Sequence, residues 1–222
     1  MYCYSKAIKL NSNNLDAHWD RASLARDVGD LQAARNSYLS MLRRFPHNSV
    51  VLAELRHVLV EQGDLLLCAK MYQDAFDYFT SVNPLETIPS ASLDAIDPTI
   101  ATSRISVHFQ APTGSLTLMD ILVLADLYNS LGVFEKAIKT VRSGCRWLQG
   151  RGKQSYWDRC QDDREYDLQD YIREEDQEEG EDVNVAKQGF YPLEINARHR
   201  LAIARLRSGD INEGQVHIKR LY

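Results

Sequence analysis

The residues of this chain that could do chemistry are six histidines, four cysteines and one dense carboxylate run. His18, His47, His57, His108, His199 and His217 are scattered, with no HExxH pair that would put two imidazoles on one helix face for a metal. Cys3, Cys68, Cys145 and Cys160 form no CxxC and no short Cys/His spacing, so free thiols of a reducing compartment are expected. Gly144, Gly150 and Gly152 stand in a turn-like stretch without the GKS or GKT ending of a phosphate loop, and no GxSxG occurs. Between Asp162 and Asp182 twelve carboxylates face two arginines, Arg164 and Arg173, a local charge of −10. The whole chain carries −5, so the remainder carries +5. Acid–base catalysis needs two carboxyls at a fixed separation, and a mobile, self-repelling tract cannot hold them. The expectation is therefore no enzyme, no cofactor and no metal. No Lys/Arg run or aromatic-interleaved basic patch occurs, so any DNA contact is expected to be indirect or weak. Apolar runs such as Ile121–Ala125 fall far short of the ~20 residues that span a bilayer, and no signal peptide opens the chain. A soluble intracellular protein without a membrane partner is expected.

The elements that would position any site follow from a period. Tyr4, Tyr38 and Tyr72 fall 34 residues apart, as do Ala7, Met41 and Ala75, and Gly29-Asp30-Leu31 maps onto Gly63-Asp64-Leu65. A 34-residue period of paired helices is that of the tetratricopeptide repeat (TPR), a helix–turn–helix unit that stacks on its neighbours. Each column has a physical reason. The glycine lets the chain leave helix A at positive φ, and the aspartate can cap helix B. Ala22 and Ala34 let helices A and B approach, Tyr38 projects into the space between them, and Pro46 stops the helix beyond Phe45. The fold class is thus all-α, a TPR superhelical solenoid interrupted by two irregular insertions.

Residues 1–80 hold a partial repeat and two full ones, with helices near Leu15–Val28, Leu31–Arg44, Val50–Gln62 and Leu65–Phe79. Residues 81–115 contain four prolines (Pro84, Pro89, Pro98 and Pro112) and read as a Pro/Ser-rich insertion. Residues 116–149 resume the repeat through Leu124, Ala125, Tyr128, Gly132 and Ala137. Residues 150–190 read as an acidic linker without fixed structure, either a solvated spacer or a flexible arm that docks on a basic partner. Residues 191–222 open another repeat, with Leu201, Ala202, Gly209-Asp210 and Ile218 in the columns. Both chain ends cut through repeats, which suggests a piece of a longer array.

Helix A of each repeat lines the concave face of a TPR array, so its outward positions are the candidate protein-binding groove. The first full repeat presents Asp16, Trp19, Ser23, Arg26 and Asp27; the second presents Val50, Ala53, His57, Val60 and Glu61. Trp19 is the most suggestive hot-spot candidate, but packing against helix B of the preceding repeat is the favoured reading, since aromatic residues in helices are usually core. Arg26 and His57 are more readily read as solvated side chains than as contacts. A carboxylate clamp of the co-chaperone kind is disfavoured by Glu54 on the same face.

Three stretches carry a resemblance: "YSKAIKLNSNNLDAHWDRASLARDVGDLQAARNSYLSMLRRFP", "DILVLADLYNSLGVFEKAIKTV" and "YPLEINARHRLAIARLRSGDINEG". In that order, with two interruptions, they resemble the large TPR subunit of transcription factor IIIC, the RNA polymerase III assembly factor. The resemblance excludes 81–115 and 150–187. It implies a nuclear scaffold whose protein partners are other transcription factor IIIC subunits and the B-related and B-double-prime components of transcription factor IIIB. The alternative is a generic TPR peptide-binding, co-chaperone or other complex-scaffold module.

Overall fold

A computed structural model of the protein describes residues 2–82, 116–167 and 191–222. The expected insertion at 81–115, beyond its first two residues, and residues 168–190 of the expected acidic linker therefore fall outside the described residues. Among those that are described, every long element is an α-helix: α1 (Tyr2–Leu10), α2 (Leu15–Asp27), α3 (Leu31–Leu42), α4 (Ser49–Glu61), α5 (Leu65–Val82), α6 (Leu118–Ser130), α7 (Phe134–Leu148), α8 (Ile195–Ser208) and α9 (Ile211–Lys219). The all-α, TPR-type fold read from the period is present. The chain divides into two compact units at Val133/Phe134, so α1–α6 belong to the first and α7–α9 to the second.

In the first unit consecutive helices pack on one another, and the helix ends repeat at the sequence period. Asn14 and Asn48 accept hydrogen bonds from the backbone N–H groups of Ala17 and Val51, each at 3.1 Å. Asp30 and Asp64 do the same for Ala33 (3.0 Å) and Leu67 (3.2 Å). Each cap satisfies an N–H that the helix itself leaves unpaired. Thr117 and Asp120 form a reciprocal capping box at the start of α6. Gly29, Gly63 and Gly132 have φ of +82°, +75° and +74°, the left-handed geometry the turns demand.

Ala22, Ala25 and Ala34 are fully buried, and Tyr38 occupies the space their small side chains leave. Tyr72, one period on, is buried as well; its hydroxyl pKa is driven up, chiefly by burial. Repeats are also tied by charge: Arg35 pairs with Asp64 at 2.9 Å, joining α3 to the next Gly-Asp turn. The α3 helix stops at Leu42, before the Phe45 boundary that Pro46 suggested. The intervening turn ends at His47, whose φ is +63° and whose ring stacks on Tyr78 at 4.5 Å.

In the second unit α7 packs on α8, and α8 on α9. Gly144 lies inside α7 rather than in a turn, and the turn glycine is Gly150, at φ +70°. Beyond α7 the chain folds into two short 3₁₀ turns, Ser155–Arg159 and Arg164–Tyr166.

The Gly-Asp turns yield a direct test. A Cβ at position 63 would meet no atom within 4 Å, so Gly63→Ala isolates backbone strain and should destabilise the protein by about 1 kcal/mol. Asp64→Ala removes a cap and the Arg35 pair, and should cost about 1–2 kcal/mol. Urea unfolding followed by far-UV circular dichroism measures both.

Candidate functional site

Two places in the fold concentrate polar side chains, and they differ in kind. The first is the helix-A face of the first unit, where the sequence places its groove candidates. Asp16, Asp27, His57 and Glu61 are exposed there, as expected of a contact surface. Trp19 is half-buried and meets the edge of Tyr38 at 6.0 Å, a contact with helix B of its own repeat, where the sequence suggests helix B of the preceding one. Ser23 is half-buried near the Tyr38 hydroxyl, whose pKa burial raises. Arg26 forms an ion pair with Glu54 of α4, spanning two helices A. The structure thus gathers Trp19, Ser23 and Arg26 around Tyr38 and Glu54. Asp16, Asp27, His57 and Glu61 stay at the surface.

The second place is a buried charge network in the second unit, which the sequence reading passes over. Asp163, Glu165 and Asp167 have no exposed surface. They are the start of the acidic tract, expected to be mobile, and they are instead fixed between α7, α8 and α9. Arg205 clasps Asp163 with two hydrogen bonds, Nε to Oδ2 at 2.8 Å and Nη2 to Oδ1 at 2.7 Å. Arg142 approaches the same carboxylate at 3.2 Å, and its Nη groups donate to the carbonyls of Trp157 (2.7 Å) and Cys160 (3.0 Å). Glu165 lies among Arg142, Arg146 and Arg151 at 3.4, 3.6 and 3.3 Å. Asp167 receives Arg220 at 2.6 Å. Tyr166 is buried between them and donates its hydroxyl to the carbonyl of Arg142 at 3.0 Å.

These charges are buried because they are paired. An isolated buried ion would cost many kcal/mol, and each guanidinium here has a carboxylate or carbonyl to meet. Burial alone would raise the Asp163 carboxyl, but hydrogen bonds from His217 and Arg205 outweigh it and hold the group far below the usual carboxylate range. At Glu165 burial prevails over Arg146, Arg151 and Arg142, and its pKa is raised. Burial likewise pushes the Cys145 thiol up to about 12, where it is an inert core group rather than a nucleophile.

Asp163, Glu213 and His217 offer ligand atoms within 4.8 Å of one another, a spacing that suits a metal ion. Their other contacts argue against one. Glu213 accepts the backbone N–H of Asp163 at 3.1 Å, and His217 Nε2 lies 3.0 Å from Asp163 Oδ2. His217 Nδ1 faces a guanidinium nitrogen of Arg198 at 3.2 Å. A guanidinium only donates, so Nδ1 accepts and the ring proton sits on Nε2, directed at Asp163. A cation would have to displace Arg205 and Arg142 from the same carboxylate. The cluster is a structural lock.

A signal for this network exists in the sequence. Counted back from the turn glycines, the positions four before each glycine hold Ala25, Leu59, Tyr128 and Arg205, and those eleven before hold His18, Leu52, Ile121 and Arg198. These columns are buried in every repeat, and two arginines in them require buried partners.

No family model matches the chain. It is 27% identical over 97% of its length to the transcription factor tau subunit sfc4 of Schizosaccharomyces pombe, covering 19% of that protein. It is 24% identical over its whole length to the transcription factor tau 131 kDa subunit of Saccharomyces cerevisiae, covering 24% of it. The resemblance to the TPR subunit of transcription factor IIIC is borne out. The chain thus spans about a quarter or less of the length of these relatives. Among solved structures, the MamA protein aligns over 93% of this chain and 89% of its own, at 15% identity and a TM-score of 0.29.

The network makes its own prediction. Asp163→Asn leaves Arg205 without its buried counter-charge and should destabilise the protein by about 3–5 kcal/mol at neutral pH. Glu165→Gln should cost less, because burial already opposes its ionisation. Stabilisation by a carboxylate of depressed pKa exists above its unfolded value and fades as pH falls below it. Wild-type stability should therefore drop below about pH 4, and the Asp163→Asn variant should lose that part of the acid dependence. Urea titrations between pH 3 and pH 7, as chosen conditions bracketing about one carboxylate pKa, measure both.

Proposed function

We propose that this chain is part of a non-enzymatic scaffold in the RNA polymerase III factor transcription factor IIIC, acting in the nucleus and helping to assemble transcription factor IIIB. The observation that carries this reading is the alignment, along essentially the whole chain, with two transcription factor tau subunits. The helical hairpins fit the role physically. They are preformed, so a partner segment docks on α2 and α4 without the entropy cost of ordering the receptor. Asp16, Trp19, Ser23, Arg26, Asp27, His57 and Glu61 are the contact residues of this proposal. The partners are proteins, namely sister subunits and the transcription factor IIIB components.

The pairing of Arg26 with Glu54 weighs against the co-chaperone alternative, because the cation that would hold a peptide carboxylate is already neutralised. The tagged 222-residue chain should retain purified B-related or B-double-prime protein in a pulldown, and Asp27→Ala with His57→Ala should weaken retention. Retention of neither component, with capture of unrelated TPR ligands, would overturn the assignment.

A further inference from the structure

We infer that His217 is a proton-sensitive latch on α9: a second proton on its ring releases this helix from α8 and from the turn that carries Asp163. His217 has no exposed surface, and both of its ring nitrogens are engaged. Nε2 donates to Asp163 Oδ2 at 3.0 Å, and Nδ1 accepts from Arg198 Nη1 at 3.2 Å. The ring therefore fits its place only as the neutral imidazole with its proton on Nε2.

The charges around the ring decide what a second proton meets. From α8, Arg198 faces Nδ1, and Arg205 holds both oxygens of Asp163. From α7, Arg142 approaches the same carboxylate at 3.2 Å. On α9 itself, Glu213 lies within 4.8 Å of a ring nitrogen but accepts the backbone N–H of Asp163, and Arg220 turns to Asp167 and the Tyr166 carbonyl. The carboxylates that attract an imidazolium are thus already engaged. A proton on Nδ1 points at a guanidinium, which only donates, so it expels Arg198 and buries a second cation beside it. With α9 away from α8, water solvates the ring, which then takes its proton near the ordinary value of about 6.5. The released state binds one more proton than the latched one. Latching is therefore complete above about pH 6.5 and weakens as pH falls through it, well above the acid loss assigned to Asp163.

The test is hydrogen-exchange mass spectrometry on the full 222-residue chain at about pH 7.5 and about pH 5.5, corrected for intrinsic exchange rates. Peptides from α9 should lose protection ~5-fold or more at the lower pH, while those from α6, which carries no histidine, stay unchanged. His217→Gln keeps one donor and one acceptor without titrating, and should make α9 protection equal at the two pH values. Proton–nitrogen correlation spectra of the wild-type imidazoles should show the Nε2–H tautomer for His217 at about pH 7.5, so the decision stands even if the variant does not fold. An Nδ1–H ring or an imidazolium at that pH would overturn the inference. So would α9 protection that is the same at both pH values, or a pH effect on α9 that survives His217→Gln.

Discussion

A buried carboxylate, Asp163, clasped by Arg205 and approached by Arg142 and His217, is the constraint on which the second unit depends. Arg205 and Arg198 sit in columns where the other repeats bury Ala25, Leu59, Tyr128, His18, Leu52 and Ile121, and α8 cannot pack on α7 around unpaired guanidiniums. The chain solves this by folding residues 151–167 back so that Asp163, Glu165 and Asp167 reach the arginines. Trp157 and Tyr166 come with them and supply the apolar bulk. The later return is also fixed: the Tyr191 N–H donates to the Glu165 carbonyl at 3.2 Å, and the Arg151 guanidinium lies 3.4 Å from the centre of the Tyr191 ring.

Such a network contributes less to net stability than to register. Desolvation offsets much of the Coulomb gain, and apolar residues of equal volume would stabilise the unit as well. What charges add is a penalty for error. The buried carboxylates alternate along the chain, and a slip of one residue would bring Arg164 against Arg142 or Arg205. In the correct register Arg164 points its charge at Asp162, 2.6 Å away. The first unit needs no such device, because alanines and tyrosines in a fixed column already specify how its helices meet.

The legible part of the fold is the part written in residues with one local meaning. Glycines that take positive φ and asparagines and aspartates that cap helices repeat at 34 residues, and they locate α2 to α5 within a few residues. The acidic tract misleads because composition averages over a run. Its first carboxylates belong to a core that becomes visible only when Arg198 and Arg205 are counted into buried columns. Helix ends near Pro46 are less legible, since the turn depends on His47 stacking on Tyr78, a contact between residues far apart in sequence. At the helix-A face, exposure of Asp16, Asp27, His57 and Glu61 follows from helical phase. The pairing of Arg26 with Glu54 depends on how successive repeats stack, which the period alone does not determine.

Native-state hydrogen exchange across residues 151–167 tests the central claim most directly. The Asp163 N–H donates to Glu213 and the Tyr166 N–H to the Asp163 carbonyl, both inside the buried network. These amides should exchange as slowly as those in the middle of α7 and α8, and should lose protection together with them. Exchange at the rate of a solvated chain, with α7 and α8 still protected, would contradict the account.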